Sequence, residues 1–399
     1  MRCKAKHPDP SLGAPFEGAQ ADIETLLSRF DPTLRSRVRR LVRSSPRLAD
    51  LAIVFPGALH TLASLRGSPK RRQKALTLIA EGAALRDVAA TLDLPMWLRR
   101  LPPEAFAGWH GALPRSDTFA RRITNHLPTA AEDSAFWLRS VAFGVQACDD
   151  YFALWLAQQA VFMEPGDPER LFGLLAAYAW FSNAAPSPAR DLIVMPWRPV
   201  MALDTAVCAA KSWLNRLRLV VQLKEGVLAD PWLLPGEARG FTFRPLLDEK
   251  AILAEAHAMQ NCADQYADRL ARDKCRIFSI LRRGVRVATL EIGPHPREAG
   301  VLAISQLKAR HNLPAGVEIW QAAHTWIGQQ TELKRSSTGL LPERSLDTDT
   351  WTALLAPYRK AANGASWMPE LASKDTFLLI EDGIAELARR AGITSWLFT

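Results

Sequence analysis

The sequence predicts an α+β protein: a mostly α-helical N-terminal region, a small α-β-β-β-α module with an antiparallel meander, and a short helical C-terminal segment. Three observations carry this expectation. Residues 17–240 repeat Leu, Ala, Trp and Phe at three- and four-residue spacing between prolines such as Pro56, Pro69, Pro95 and Pro114, which is the period of packed helices. After Gly240 the period changes, and Cys275–Leu281 and Val285–Ile292 become β-rich runs joined by Arg282-Arg283-Gly284. Consecutive strands with short connections favour antiparallel pairing, with helices covering one face.

The elements follow in order. Residues 1–16 lack a helical pattern and are expected to be disordered, and 17–240 form the helical domain. In Thr33–Arg43 the apolar Leu34, Val38, Leu41 and Val42 share one helical face and leave the arginines outside. Residues 83–101 have the cadence of a helix-turn-helix, with Ala89 inward, a turn at Asp93 to Pro95, and Arg99 and Arg100 on a second helix. Asp93 stands where a glycine is usual, and Pro102-Pro103 cuts that second helix short. Tyr151–Met163 and Leu171–Phe181 are apolar nearly all round and read as central helices, too short for a bilayer. In the module, 241–332, Leu253 to about Arg272 is helical, the hairpin follows, Val301–Leu307 is a third strand, and Val317 to about Gln330 is a helix bearing Trp320 and Trp326. Residues 333–399 open with a Lys-Arg-Ser-Ser-Thr-Gly linker and continue as short amphipathic helices, Asp349–Ala362 and Asp375–Gly392 among them.

Composition narrows the function classes. With 48% hydrophobic residues and a net charge of +9, the 399-residue chain is a folded protein. Five scattered cysteines without a CxxC pair suggest neither a disulfide framework nor a zinc ribbon, and point to a reducing compartment. The first ten residues have no apolar core of a signal peptide, and no run approaches a membrane span, so the expected location is cytoplasmic with no membrane partner. No P-loop, Rossmann glycine pattern, GxSxG elbow or HExxH occurs.

Charge is concentrated at one end. Residues 1–128 hold 21 Lys/Arg against 11 Asp/Glu, a net +10, whereas the remaining 271 residues hold 29 against 30. Two clusters account for most of it: Arg35, Arg37, Arg39, Arg40, Arg43 and Arg47, then Arg66, Lys70, Arg71, Arg72 and Lys74. Such cations neutralise phosphates, which makes Arg35, Arg39, Arg40, Arg43, Lys70, Arg71, Arg72 and Lys74 candidate contacts to DNA or RNA; the alternative is a solvated helix face.

Within the module, His257-Ala-Met-Gln-Asn261-Cys262-Ala-Asp-Gln-Tyr266, then Ala288-Thr289-Leu290-Glu291-Ile292, then Gln306 and Asn312 ahead of a Trp-bearing helix form an ordered series. This series resembles the PcfJ-like domain, a family named from a protein of a conjugative plasmid, over about residues 241–332. Ala309 stands where the family has glycine in a Gln-x-x-Gly-x-x-Asn pattern. The resemblance implies an association with plasmids, phages and bacterial chromosomes, and no established reaction.

Read as one helix, His257, Asn261, Asp264 and Asp268 form a polar stripe beside an apolar one of Met259, Cys262, Tyr266 and Leu270. Strand alternation puts Thr289 and Glu291 on one face. If that face meets the helix, His257, Asn261, Tyr266, Thr289, Glu291, Gln306, His311 and Asn312 line a ligand cleft. His257, Asn261, Cys262 and Glu291 are the catalytic candidates. Cys262 and His257 lie about 140° apart around a helix, so a thiolate would need His311 or Glu291 as its partner. The competing reading is a buried Cys262 and polar groups that tie backbone. His257, Cys262, His295 and His311 match no compact zinc spacing, so neither metal nor cofactor is expected. Three classes remain: an accessory protein of mobile genetic elements that contacts nucleic acid, an enzyme built on the module's polar residues, and a scaffold for a protein partner. Oligomeric state is not legible.

Overall fold

A computed structural model describes residues 23–65, 67–109, 112–160, 164, 166–223, 228–331, 346–362, 368 and 374–393. The expected disordered N-terminus and the Lys-Arg-Ser-Ser-Thr-Gly linker lie outside these residues, as does Arg66. The chain divides into two compact units between Leu171 and Phe172.

The first unit is built from helices. They are α1 (Arg35–Ser44), α2 (Pro46–Val54), α3 (Pro56–Ser64), α4 (Pro69–Glu81), α5 (Leu85–Leu92), α6 (Asp117–Arg122), α7 (Ser134–Ala147) and α8 (Asp150–Ala160). Proline opens α2, α3 and α4 at a position where its missing N–H costs no helical bond. Left-handed Gly82 ends α4. On α7, a Cβ at Gly144 would come within 2.8 Å of the Ala153 Cα on α8, so only glycine permits this helix contact. The indole N–H of Trp137 donates to the Ala157 carbonyl across the same contact.

The helix-turn-helix expectation is corrected here. α5 and the turn at left-handed Asp93 form, but Met96–Arg100 is a 3-10 helix that buries Trp97 and Leu98. Proline on both sides, at 95 and 102, leaves too few residues for an α-helix that could enter a groove.

In the second unit the helices are α9 (Pro168–Asn183, which spans the division), α10 (Pro188–Asp191), α11 (Leu203–Gln222), α12 (Glu249–Met259), α13 (Ala267–Ala271), α14 (Val317–Gly328), α15 (Thr348–Ala361) and α16 (Lys374–Arg390). Five antiparallel strands run side by side in chain order: β1 (Gly236–Ala238), β2 (Phe241–Pro245), β3 (Arg276–Arg282), β4 (Val285–Pro294) and β5 (Leu302–Lys308). The α+β class and the meander hold. The sheet gains β1 and β2, which the sequence reading left out, so the boundary expected after residue 240 lies inside a hairpin. Arg239 and Gly240 both take positive φ between the paired Ala238 and Phe241. Arg283 and Gly284 repeat this geometry between Arg282 and Val285, as a two-residue turn of primed type requires.

Helices cover both faces of the sheet, where one was expected. On one face Ile319, Ala322, Ala323 and Trp326 of α14 meet Phe243, Phe278, Ile280 and Leu290. The Trp326 ring stacks on Phe243 at a centroid distance of 4.5 Å and meets Phe278 edge-on at 5.0 Å. On the other face Ile277 joins Leu219 of α11, Ile252 and Ala256 of α12, and Leu270 of α13. This second cluster places α11 in the same body as the module, although α11 precedes residue 241. α15 and α16 also pack on α11. Trp351 and Phe377 meet edge-on between them, and Arg218 pairs with Glu381.

Candidate functional site

The face of the sheet beneath α12 and α13 carries Ile277 from β3, Thr289 and Glu291 from β4, and Gln306 and Lys308 from β5. Register aligns them: Glu291 faces Ile277 on one side and Gln306 on the other, and Thr289 faces Lys308. The register shifts after Glu291, where Ile292 faces Ile304 and Ser305 is the extra residue of a bulge.

The covering segment is not one helix, which corrects the expected stripe. α12 ends at Met259, because Gln260 is left-handed with φ 48° and its N–H bonds back to the Ala256 carbonyl. The Asn261 side chain then accepts from the Ala263 N–H at 3.1 Å, closing a turn that a continuing helix would forbid. Ala263–Gln265 is a short 3-10 helix, and α13 starts afresh at Ala267. His257 therefore stays exposed near the end of α12.

Asn261, Cys262, Tyr266, Thr289, Glu291, Gln306 and Asn312 do come together, with Lys308, around one pocket of about 20 Å³. That is room for about one water. His257 and His311 are not among its described lining residues, so six of the eight expected ligand residues converge and both imidazoles stand outside. His311 is exposed in a turn where it and Asn312 both take positive φ. Ala309 is extended at φ −81°, a backbone conformation that does not call for glycine.

The polar groups largely satisfy one another. The Asn261 amide donates to the Thr289 hydroxyl at 2.8 Å, and that hydroxyl donates to Glu255 at 2.7 Å. Glu255 on α12 is fully buried, and its other oxygen accepts from Arg286 at 2.9 Å. Tyr266 donates to Glu291 at 2.9 Å, with the Gln306 carbonyl oxygen 3.4 Å from the same hydroxyl. Arg269 completes the Glu291 carboxylate and lies over the Tyr266 ring. Behind the turn, buried Asp264 accepts from Arg216 of α11 at 2.8 Å, while Asp268 accepts from Arg218 and Gln222. Glu255, Arg269, Arg286, Arg216 and Lys308 were not singled out from the sequence. A glutamate amid the apolar residues of α12 was the one local signal for any of them.

This arrangement does not poise a thiolate. Burial pushes the Cys262 thiol up, and the charges of Asp264 and Glu291 push it the same way. Its hydrogen points to the Asn312 carbonyl oxygen at 3.7 Å, so its neighbour is an acceptor that is not basic. Tyr266 is raised too, by burial and by Glu291. In the native protein, alkylation of Cys262 is expected to be slower than that of free cysteine and to climb only above the ordinary thiol value of 9.0. Each unit of upward displacement removes about a factor of ten of thiolate at lower pH. Mass spectrometry of the Cys262 peptide across a pH series checks this, and a rate at neutral pH equal to free cysteine would refute it. Cys275, the other thiol of the module, is buried and pushed up to about 12 by burial. Among the described residues no cluster of His, Cys, Asp and Glu is placed to hold a metal ion. Nor is any described helix long and apolar enough to cross a membrane.

The N-terminal cations separate into groups. α1 buries Val38 and Val42 and presents Arg37, Arg40 and Arg43 outward. Arg39 and Arg43 share a single carboxylate, Glu24, at 3.0 and 3.2 Å. Arg35 is turned back to donate to the Phe30 carbonyl. On α4, Lys70 and Lys74 are exposed, whereas Arg72 holds the Leu65 and Gly67 carbonyls and Arg71 approaches Asp93. Arg40, Lys70 and Lys74 have no ion pair among the described residues. No family model, curated protein or solved structure matches the chain.

Proposed function

We propose that the chain is a PcfJ-like binding protein that contacts nucleic-acid phosphates through the exposed cations of α1 and α4. The observation that carries this reading is the charge imbalance on α1: its apolar side is buried, Arg37, Arg40 and Arg43 face solvent, and one carboxylate, Glu24, stands against Arg39 and Arg43. Exposed, incompletely neutralised cations on an ordered helix gain free energy by displacing counterions from a phosphate backbone. The second unit's polar network ties α12 and the turn after it to the sheet, which suits a structural or accessory module better than a reactive centre. The association with mobile genetic elements enters through the resemblance of residues 241–332 alone. Fluorescence anisotropy with labelled single- and double-stranded DNA and with RNA tests the reading.

Binding is expected to weaken steeply as salt rises. An R40A/K70A/K74A variant should bind about tenfold more weakly, with a log–log salt slope shallower by about 2 to 3. An H257A/N261A variant should bind as the parent does. No binding at low salt, or binding indifferent to salt, would overturn the proposal.

A further inference from the structure

We propose that the first unit holds a binding site for a free mononucleotide, in the cavity bounded by α3, the start of α4 and the segments after α5, with the phosphate on Arg71 and Arg115 and the base against Trp109. The site goes beyond the polyanion reading and uses other residues than the exposed Arg40, Lys70 and Lys74.

The cavity measures about 380 Å³, within the size range of small-ligand sites. Its two sides differ in chemistry. Leu92, Leu94 and Leu113 form an apolar floor, and His60, 4% exposed, lies beside them. Trp109 stands at the wall, 6.2 Å from the His60 ring and edge-on to Phe106 at 6.1 Å, so the indole is held in place by packing. Around the mouth are Arg71, Arg72 and Arg115, with Asp93 as the one carboxylate among the described lining residues. Three guanidiniums less one carboxylate leave a net +2.

Asp93 accepts from Arg115 at 2.7 Å and lies 3.8 Å from Arg71, so it gathers both cations at one point. The two guanidiniums keep strong donors there for a second anion. Arg72 bonds the Leu65 and Gly67 carbonyls and thereby fixes the loop that leads into α4. α4 begins next to the cavity at Ser68, whose hydroxyl makes no cap bond, and its first turn holds no acidic residue. The positive end of this 13-residue helix therefore adds to the arginines. An inorganic anion would leave the apolar floor wet, and an apolar molecule would leave the cations unanswered. A ligand with a phosphate and a planar ring answers both.

Isothermal titration of the full chain with adenosine 5′-monophosphate, adenosine and inorganic phosphate tests the assignment. The nucleotide should saturate with a Kd below about 1 mM, and the two fragments should bind at least about tenfold more weakly. R71A and R115A should each weaken nucleotide binding about tenfold. D93N should tighten it severalfold, because asparagine tolerates the left-handed backbone at that position while the competing carboxylate is gone. That gain cannot arise from a misfolded variant. R40A/K70A/K74A should bind the nucleotide as the parent does while losing polyanion affinity, so the two readings fail separately. Absence of nucleotide saturation, a Kd unmoved by R71A and R115A, or its loss in R40A/K70A/K74A would overturn the proposal.

Discussion

Replacing Trp326 with alanine is expected to cost about 3–5 kcal/mol. The side chain is fully buried, stacked on Phe243 and edge-on to Phe278, and its N–H donates to the Leu234 carbonyl at 3.2 Å. Truncation removes the transfer free energy of the indole, opens a cavity between α14 and the sheet, and leaves a carbonyl without this donor. W326F keeps much of the packing and loses the N–H, so about 1–2 kcal/mol is expected. Urea unfolding followed by far-UV circular dichroism should show the affected transition falling by about 1–2 M for W326A. A shift within error would mean that this ring does not hold α14 to the sheet.

The second large effect concerns Arg216 and Asp264, whose side chains are 12% and 6% exposed. D264A leaves the Arg216 guanidinium buried without its counterion, at an expected cost of about 3–5 kcal/mol. Burial pushes the Asp264 carboxyl above its ordinary range against the pull of Arg216. Desolvation of this ion is therefore a large term, and removing both charges should recover most of the loss. The R216M/D264L double variant is thus expected to be more stable than D264A by about 2 kcal/mol or more. Equal stabilities of D264A and the parent in urea would show that the Arg216–Asp264 pair does not help to hold α11 on the module. Equal stabilities of D264A and the double variant would show that the unpaired guanidinium carries no penalty.

What could be read from the sequence divides along physical lines. β3, β4 and β5 were legible because their apolar runs are long and bounded by turn residues. β1 and β2 were not: β1 has three residues and β2 ends in proline, too short for a period to register, although Arg239-Gly240 is the same turn signal as Arg283-Gly284. The pocket was legible where alternation along β4 sets Thr289 and Glu291 on one face, and Gln306 and Asn312 joined it through the resemblance. His257 was misplaced because the helix stops at a left-handed glutamine, where no glycine or proline announces an end. Glu255 was missed because its partners are 31 and 34 residues away, a pairing created only by the packing of α12 on β4. Arg37, Arg40 and Arg43 of α1 lie on the outer face as read, whereas the approach of Arg71 to Asp93 depends on a tertiary contact.

Strand order along the sheet follows chain order without a crossover, and this has a kinetic consequence. Every strand pairing except β2 with β3 closes over a short connection, so little loop entropy must be lost before a ladder forms. The sheet thus adds little to the contact order of the second unit. The burden falls on the helices instead: Arg218 meets Glu381 across 163 residues. Substitutions at the α16–α11 junction are accordingly expected to slow refolding more than substitutions in the hairpins, which stopped-flow refolding of the variants checks.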